Sequence, residues 1–196
     1  LFTVLSNPMI QYGFLAIFIF VGIEFSVVNA LVFNLLDVQN FSEGFCASCV
    51  SLYWIQMLLG RLIGAHFSML SDKIRLLVPI SLGLILSVAS LLSPVAVSWY
   101  PMLLLGLANS SLYPALYSIF SKATAIDQQH YVSCLFLTAT CGGAVLPFLQ
   151  SYIADSSGGS AAFCLILFAY LVLLSLALYG DRLNSALTQK EPLTAS

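Results

Sequence analysis

Long apolar runs alternate with short polar gaps along this chain. The runs predict helices over residues 9–36, 45–70, 76–97, 102–120, 131–153 and 161–179. Each is near or above the ~20 residues that an α-helix needs to cross a bilayer. Polar stretches separate them at 37–44, 71–75, 98–101, 121–130 and 154–160, the last holding a Gly-Gly turn. Asn7 and Pro8 read as the cap and the first position of the first helix. The pattern predicts an all-α integral membrane fold, with six transmembrane helices in a bundle over residues 1–180 and a polar tail over 181–196.

Composition sharpens the picture. Hydrophobic residues make up 60% of the chain and charged residues 7%, with a mean hydropathy of +1.01. A soluble domain of 196 residues has too little interior to hide that much apolar surface. The lipid bilayer is therefore the expected surroundings. The net charge is −2 and no basic block occurs, which excludes nucleic acid as a partner. Lys73, Arg75, Lys122, Arg182 and Lys190 all fall on one side of a six-span topology, whereas the opposite loops hold acids and no Lys or Arg. Positive charge collects on the cytoplasmic side, so both termini are expected in the cytoplasm. Leu1 opens the chain and no charged leader precedes the first span, so a piece of something longer is expected.

Polar residues inside the spans carry the candidate chemistry. Arg61 lies in Gly60-Arg61-Leu62-Ile63-Gly64, ~15 Å from the polar turn that begins at Ser71 if the helix is continuous. A charge at that depth costs ~3 kcal/mol or more if it faces lipid, so it must face protein or a wet cavity. Glu24 sits near the middle of the first span with Ser26 and Asn29 after it. It can bind a sugar hydroxyl, carry a proton or pair with Arg61. In the fourth span Asn109 and Tyr113 are four apart, which on a continuous helix places them on one face. Pro114 deprives the Ser110 carbonyl of its usual partner. In the fifth span Gly142 and Gly143 permit close helix approach, and Pro147 frees the Gly143 carbonyl. Packing and hinge roles are both open for these residues.

Other chemistry finds little support. Cys46 and Cys49 form a C-x-x-C, but no His or second Cys pair stands near in sequence, and all five cysteines fall within apolar spans. They read as packing residues, and no metal or other cofactor is expected. His66 and His130 lack a ligand set or a nucleophile beside them. An intramembrane serine protease needs a nucleophile motif of the Gly-x-Ser-x-Gly kind, which the chain lacks, so no enzyme is expected.

Several stretches occur together in the order of a known family. They are Gly22-Ile23-Glu24-Phe25-Ser26, Gly60 to Gly64, Asn109-Ser110 through Tyr113-Pro114, and Gly142-Gly143-Ala144-Val145-Leu146-Pro147 with Gln150 and Ala154-Asp155. On these the chain resembles the C-terminal six-helix half of the fucose/glucose–galactose permeases of the major facilitator superfamily. The Gly-Gly-Ala-x-Leu-Pro stretch is the most specific. The resemblance implies a sugar as substrate, symport with H+ or Na+, and a central cavity between two six-helix halves. It implies that Arg61 and Tyr113 lie on that cavity, and Glu24 fits the glucose–galactose branch. Glu24, Asn29, Arg61, Asn109 and Tyr113 are thus the expected substrate or coupling residues. Gly142, Gly143, Pro147 and Pro114 are the expected packing or hinge residues. The implied partner is an N-terminal six-helix half or a second chain, and the implied location the inner membrane of a bacterium. The sequence departs from the family at Val28 and Asn29, where small residues are common, and at Asp72-Lys73-Ile74-Arg75, a remnant of a longer charged loop. The other reading is a truncated membrane protein that does not transport.

Overall fold

The computed structural model describes residues 6–66, 70–122 and 129–189. Among them α1 (Pro8–Phe33) runs on into a π-helical turn (Asn34–Val38), and α2 (Glu43–His66) returns beside it. α3 (Asp72–Leu92) and a 3-10 turn (Val95–Val97) lead into α4 (Trp99–Asn109) and α5 (Leu112–Ser121). α6 (Gln129–Ala139), α7 (Gly142–Ser157) and α8 (Gly159–Gln189) follow, and the described residues contain no strand. Six stretches are long and apolar enough to cross a membrane: Pro8–Val38, Glu43–Gly64, Asp72–Leu92, Val95–Ser121, Gln129–Ser157 and Gly159–Gly180. The chain is an all-α, multi-pass integral membrane protein.

Local chemistry explains where the helices start and stop. The Asn7 side chain accepts a hydrogen bond from the Met9 amide at 2.9 Å, with Pro8 at the first helical position. Residues 72–75, expected as part of a turn, are instead the first turn of α3. Ser71 caps that helix, accepting from the Ile74 amide at 3.5 Å. The third apolar run, expected to reach 97, stops as a helix at Leu92. Ser93 and Pro94 follow in extended backbone, since proline disfavours the helical conformation in the residue before it. At the far end α8 outlasts its apolar stretch and carries the polar residues from 181 as far as Gln189. Extending an existing helix adds one hydrogen bond per residue fixed and needs no new nucleus.

The fourth and fifth crossings are each two helices. The fourth breaks at Ser110–Ser111, four residues before Pro114, where the freed carbonyl was expected. The fifth breaks at Thr140–Cys141, not at the Gly143 carbonyl, and α7 runs through Pro147. At both breaks amides bond to carbonyls three residues back: Ser110 to Leu107, Thr140 to Leu137 and Cys141 to Thr138. Hydroxyls supply further bonds in place, Ser110 Oγ to Leu107 O at 2.7 Å and Thr138 Oγ1 to Leu135 O at 2.6 Å. Such back-bonding lets an interrupted backbone persist where water is scarce.

α1 is apolar on nearly every face, and such a helix needs neighbours all round. It has them: α7 and α8 pack on it most extensively, with α4, α5 and α6 also in contact. The closest approach is at Gly142, where an added Cβ would lie 1.9 Å from the Phe18 carbonyl oxygen. α2 by contrast packs chiefly on α4 and turns Leu58, Leu59, Leu62 and Ile63 outward, each at least half exposed. Asp72 ties the bundle at the end where α1 begins, meeting Arg75 and Lys122 at 3.3 Å each. Asp37, Glu43 and Asp155 stand at the other end. The side chains of His66 and Arg182, and Lys190 altogether, lie outside the described residues.

Candidate functional site

The site is built from two antiparallel helices. Glu24 lies sixteen residues from Pro8 and fourteen from Val38, about 24 Å and 21 Å along the first crossing. Helical side chains tilt towards the N-terminus of their own helix. On α1 that direction carries the Glu24 carboxylate back towards the end where Pro8 lies. On α2, which runs the other way, it carries the Arg61 guanidinium towards mid-bundle. The two converge, with Arg61 Nη2 at 3.8 Å from Glu24 Oε1. That is an ionic contact longer than a hydrogen bond. The carboxylate side chain is 8% exposed and the guanidinium 45%. The acid is thus set into the bundle, and its counter-charge stands on a face that these helices leave open.

Small residues bring α2 to this position. A Cβ on Gly60 would lie 2.1 Å from Ser110 Oγ, and one on Gly64 would lie 3.2 Å from Ser111 Cβ. The two glycines that flank Arg61 therefore seat α2 on the break between α4 and α5. Just past the break, in the first turn of α5, half-buried Tyr113 lies within electrostatic reach of both Glu24 and Arg61. A groove of about 370 Å³ opens beside Arg61 between Gly64, Ser111 and Pro114 on one side and Ile74, Arg75 and Val78 on the other.

The break also separates two residues expected on one face. Asn109 ends α4 and Tyr113 starts α5, so the four-residue spacing of a continuous helix does not apply. Asn109 is fully buried. Its Oδ1 accepts from the Tyr170 hydroxyl at 2.6 Å, and its Nδ2 donates to the Tyr53 oxygen at 3.4 Å. Tyr53 in turn donates to the backbone carbonyl of Glu24 at 3.5 Å. This chain of bonds joins α8, α4, α2 and α1 behind the charged pair and steadies the backbone that carries Glu24.

Asn29 takes a different course. It donates to Gln150 Oε1 at 3.1 Å and to Ser151 Oγ at 3.3 Å, and it lines a separate cavity at the end where α1 finishes. The structure therefore groups Glu24, Arg61 and Tyr113, sets Asn109 behind them and sends Asn29 elsewhere. Gly142 and Gly143 lie against Phe18 and Phe25 of α1, on the same helix as Glu24.

Tyr53, Tyr170 and Gln56 did not emerge from the sequence. Gln56, on α2 with Arg61, has a buried Oε1 without a hydrogen-bond partner. A usable signal existed for the tyrosines, since a phenol in an apolar helix needs a partner for its hydroxyl. Cys46 and Cys49 are buried free thiols, and the exposed His130 ring rests on Tyr131. Among the described residues no three His, Cys, Asp or Glu gather as metal ligands.

No protein-family model matches the chain. Over 175 residues it is 29% identical to proteins described as "Glucose/galactose transporter" from Brucella abortus biovar 1 (strain 9-941) and Brucella abortus (strain 2308). The similarity covers 87% of this chain and 42% of each relative, so the chain spans about half the length of the curated relatives it matches.

Proposed function

We propose that this chain is one six-helix half of a secondary transporter that carries a hexose such as glucose or galactose across a membrane, coupled to H+ or Na+. The observation that carries this reading is the Glu24–Arg61 pair. A carboxylate buried in the bundle has its counter-ion 3.8 Å away on an open face. Lipid on that face would be costly for a guanidinium. A second bundle of like size, enclosing a wet cavity, meets the need. The relatives' name and their greater length support the same reading. The second bundle is an N-terminal half or a separate chain.

The chemistry suits the proposed substrate. A sugar hydroxyl both donates and accepts. At 3.8 Å the pair keeps donors on the guanidinium and lone pairs on the carboxylate for such groups. A proton or sodium ion on Glu24 would neutralise it and release Arg61 towards the ligand, which links ion and sugar at one place. Tyr113 adds a phenol to the same wall, and Asn109 acts from behind by holding the helices. Alternating access requires one bundle to rock against the other. The breaks at Ser110–Ser111, ahead of Pro114, and at Thr140–Cys141, ahead of Gly142 and Gly143, give the fourth and fifth crossings their places to bend, while Pro147 stays within α7. Both termini and the tail over 181–196 are assigned to the cytoplasm, in a bacterial inner membrane.

The test is hexose uptake by the assembled transporter carrying Glu24→Gln. Normal amounts in the membrane and at least a tenfold loss of ion-driven uptake are expected. Undiminished uptake with unchanged dependence on the ion gradient would remove Glu24 from the mechanism.

A further inference from the structure

A second polar cavity, of about 400 Å³, opens at the end of the bundle where α1 finishes, and neither Glu24 nor Arg61 lines it. Its size falls in the range of small-molecule sites. Three features mark it as built for a ligand. First, its wall contains polar side chains already taken out of solvent: Gln150 is 2% exposed and Ser90 3%. Gln150 Oε1 is engaged by Asn29 at 3.1 Å, which leaves its amide nitrogen to donate. Second, Asn34 spends its nitrogen on Ser98 Oγ at 3.1 Å, and its buried Oδ1 has no hydrogen-bond partner. The wall thus holds an unmet acceptor together with amide donors. Third, Asn34 begins the π-helical turn, and such turns recur at functional sites.

The chemistry of the wall selects the ligand. Amides and hydroxyls dominate its polar part, Phe33, Met102 and Phe163 supply an apolar part, and Asp155 stands at the rim. Paired donors and acceptors match a molecule with many hydroxyls, the apolar patch accepts its C–H face, and the carboxylate repels anions. We infer that this cavity is an outer binding site for a neutral polyhydroxylated molecule of hexose size, separate from the Glu24–Arg61 centre. The inference deepens the proposed function and rests on it for the choice of sugar, but its geometry belongs to this chain alone. Asn29 lies five residues beyond Glu24 on the first crossing, about 7.5 Å along the axis. A sugar held here is one step from the charged pair.

The test reads the cavity locally. Ser160, an exposed residue in its wall, is replaced by cysteine in the full protein in lipid nanodiscs, and alkylation of the Ser160→Cys thiol by a maleimide is followed by mass spectrometry. Saturating D-galactose is expected to slow alkylation at least fivefold. D-galacturonate at the same concentration is expected to protect less. Adding Gln150→Leu should abolish the protection, and adding Arg61→Ala should leave it intact. Absence of protection by galactose, protection that survives Gln150→Leu, protection that is lost with Arg61→Ala, or equal protection by the anion would each overturn the proposal. Hexose uptake by the unmodified transporter is measured in parallel. Loss of the outer site therefore reads differently from failure of the transport reading.

Discussion

Glu24 and Arg61 meet because their helices run in opposite directions and their side chains lean towards opposite ends. A polar pair in an otherwise apolar wall can hold helices together or handle a ligand, and the two roles separate under substitution. A structural pair tolerates Lys, which keeps the charge, whereas Ala leaves a buried carboxylate uncompensated at a cost of about 3–5 kcal/mol. A ligand-binding guanidinium tolerates neither, because an ammonium lacks the planar fork of donors. The 45% exposure of Arg61 favours the second role, since nearly half of its side chain stays accessible beside the pair. Arg61→Lys and Arg61→Ala are both expected in the membrane in normal amounts, with uptake down at least tenfold. Degradation of Arg61→Ala beside normal transport by Arg61→Lys, read by immunoblot and hexose uptake, would make the residue scaffolding. Both charges were legible in the sequence because ionised groups are rare inside apolar runs. The partners of Asn109 and Asn29 were not, because an amide is satisfied equally well by a neighbouring helix or by a ligand.

Helices in this protein approach one another wherever a side chain is missing. The contact of α7 with α1 at Gly142 is the tightest case, because the obstacle to a Cβ is the Phe18 backbone and no rotamer change can relieve it. Gly142→Ala should force the two helices apart at a cost of about 3 kcal/mol or more, beyond ordinary overpacking. Gly44→Ala, with nothing within 4 Å of the added atom, serves as the control and should change stability by less than about 0.5 kcal/mol. Detergent-resistance or thermal-melting assays would compare them, and equal stability of the two variants would mean that the contact yields freely. The glycines and prolines announced irregular crossings in the sequence. One break falls at Ser110–Ser111, four residues before Pro114. The other fell at Thr140–Cys141, where threonine hydroxyls and local amides reorganise the turn, and Pro147 was absorbed within α7. A proline removes one donor, but neighbouring groups decide whether the helix opens there.

Across the whole molecule, one bundle of six crossings supplies one wall of the proposed cavity. Transport by alternating access needs two bundles around a shared site. The purified chain by itself, reconstituted as a monomer, should give no hexose uptake above empty vesicles, and uptake should appear when the second bundle is present. Robust uptake by the monomer would refute the half-transporter reading. The same vesicles test orientation. Lys73→Cys should react from the cytoplasmic side and Ser157→Cys from the opposite one, as the one-sided placement of Lys and Arg implies. The reverse pattern would invert the topology.

The sequence by itself determined the class of the fold, the number of crossings and the presence of charges that lipid would not accept. Those follow from composition and from the length of apolar runs, which depend on each residue's own transfer cost and on nothing distant. Tertiary structure decided which polar groups meet. Asn109 and Tyr113, four residues apart, part company because a break turns one helix into two. Glu24 and Arg61, 37 residues apart, come within 3.8 Å because glycines let α2 settle on that break. Asn29 leaves the group because Gln150 and Ser151 offer it better-placed acceptors midway along α7. Hydropathy is a property of single residues and can be read along the chain, whereas the pairing of polar groups depends on the relative position of helices.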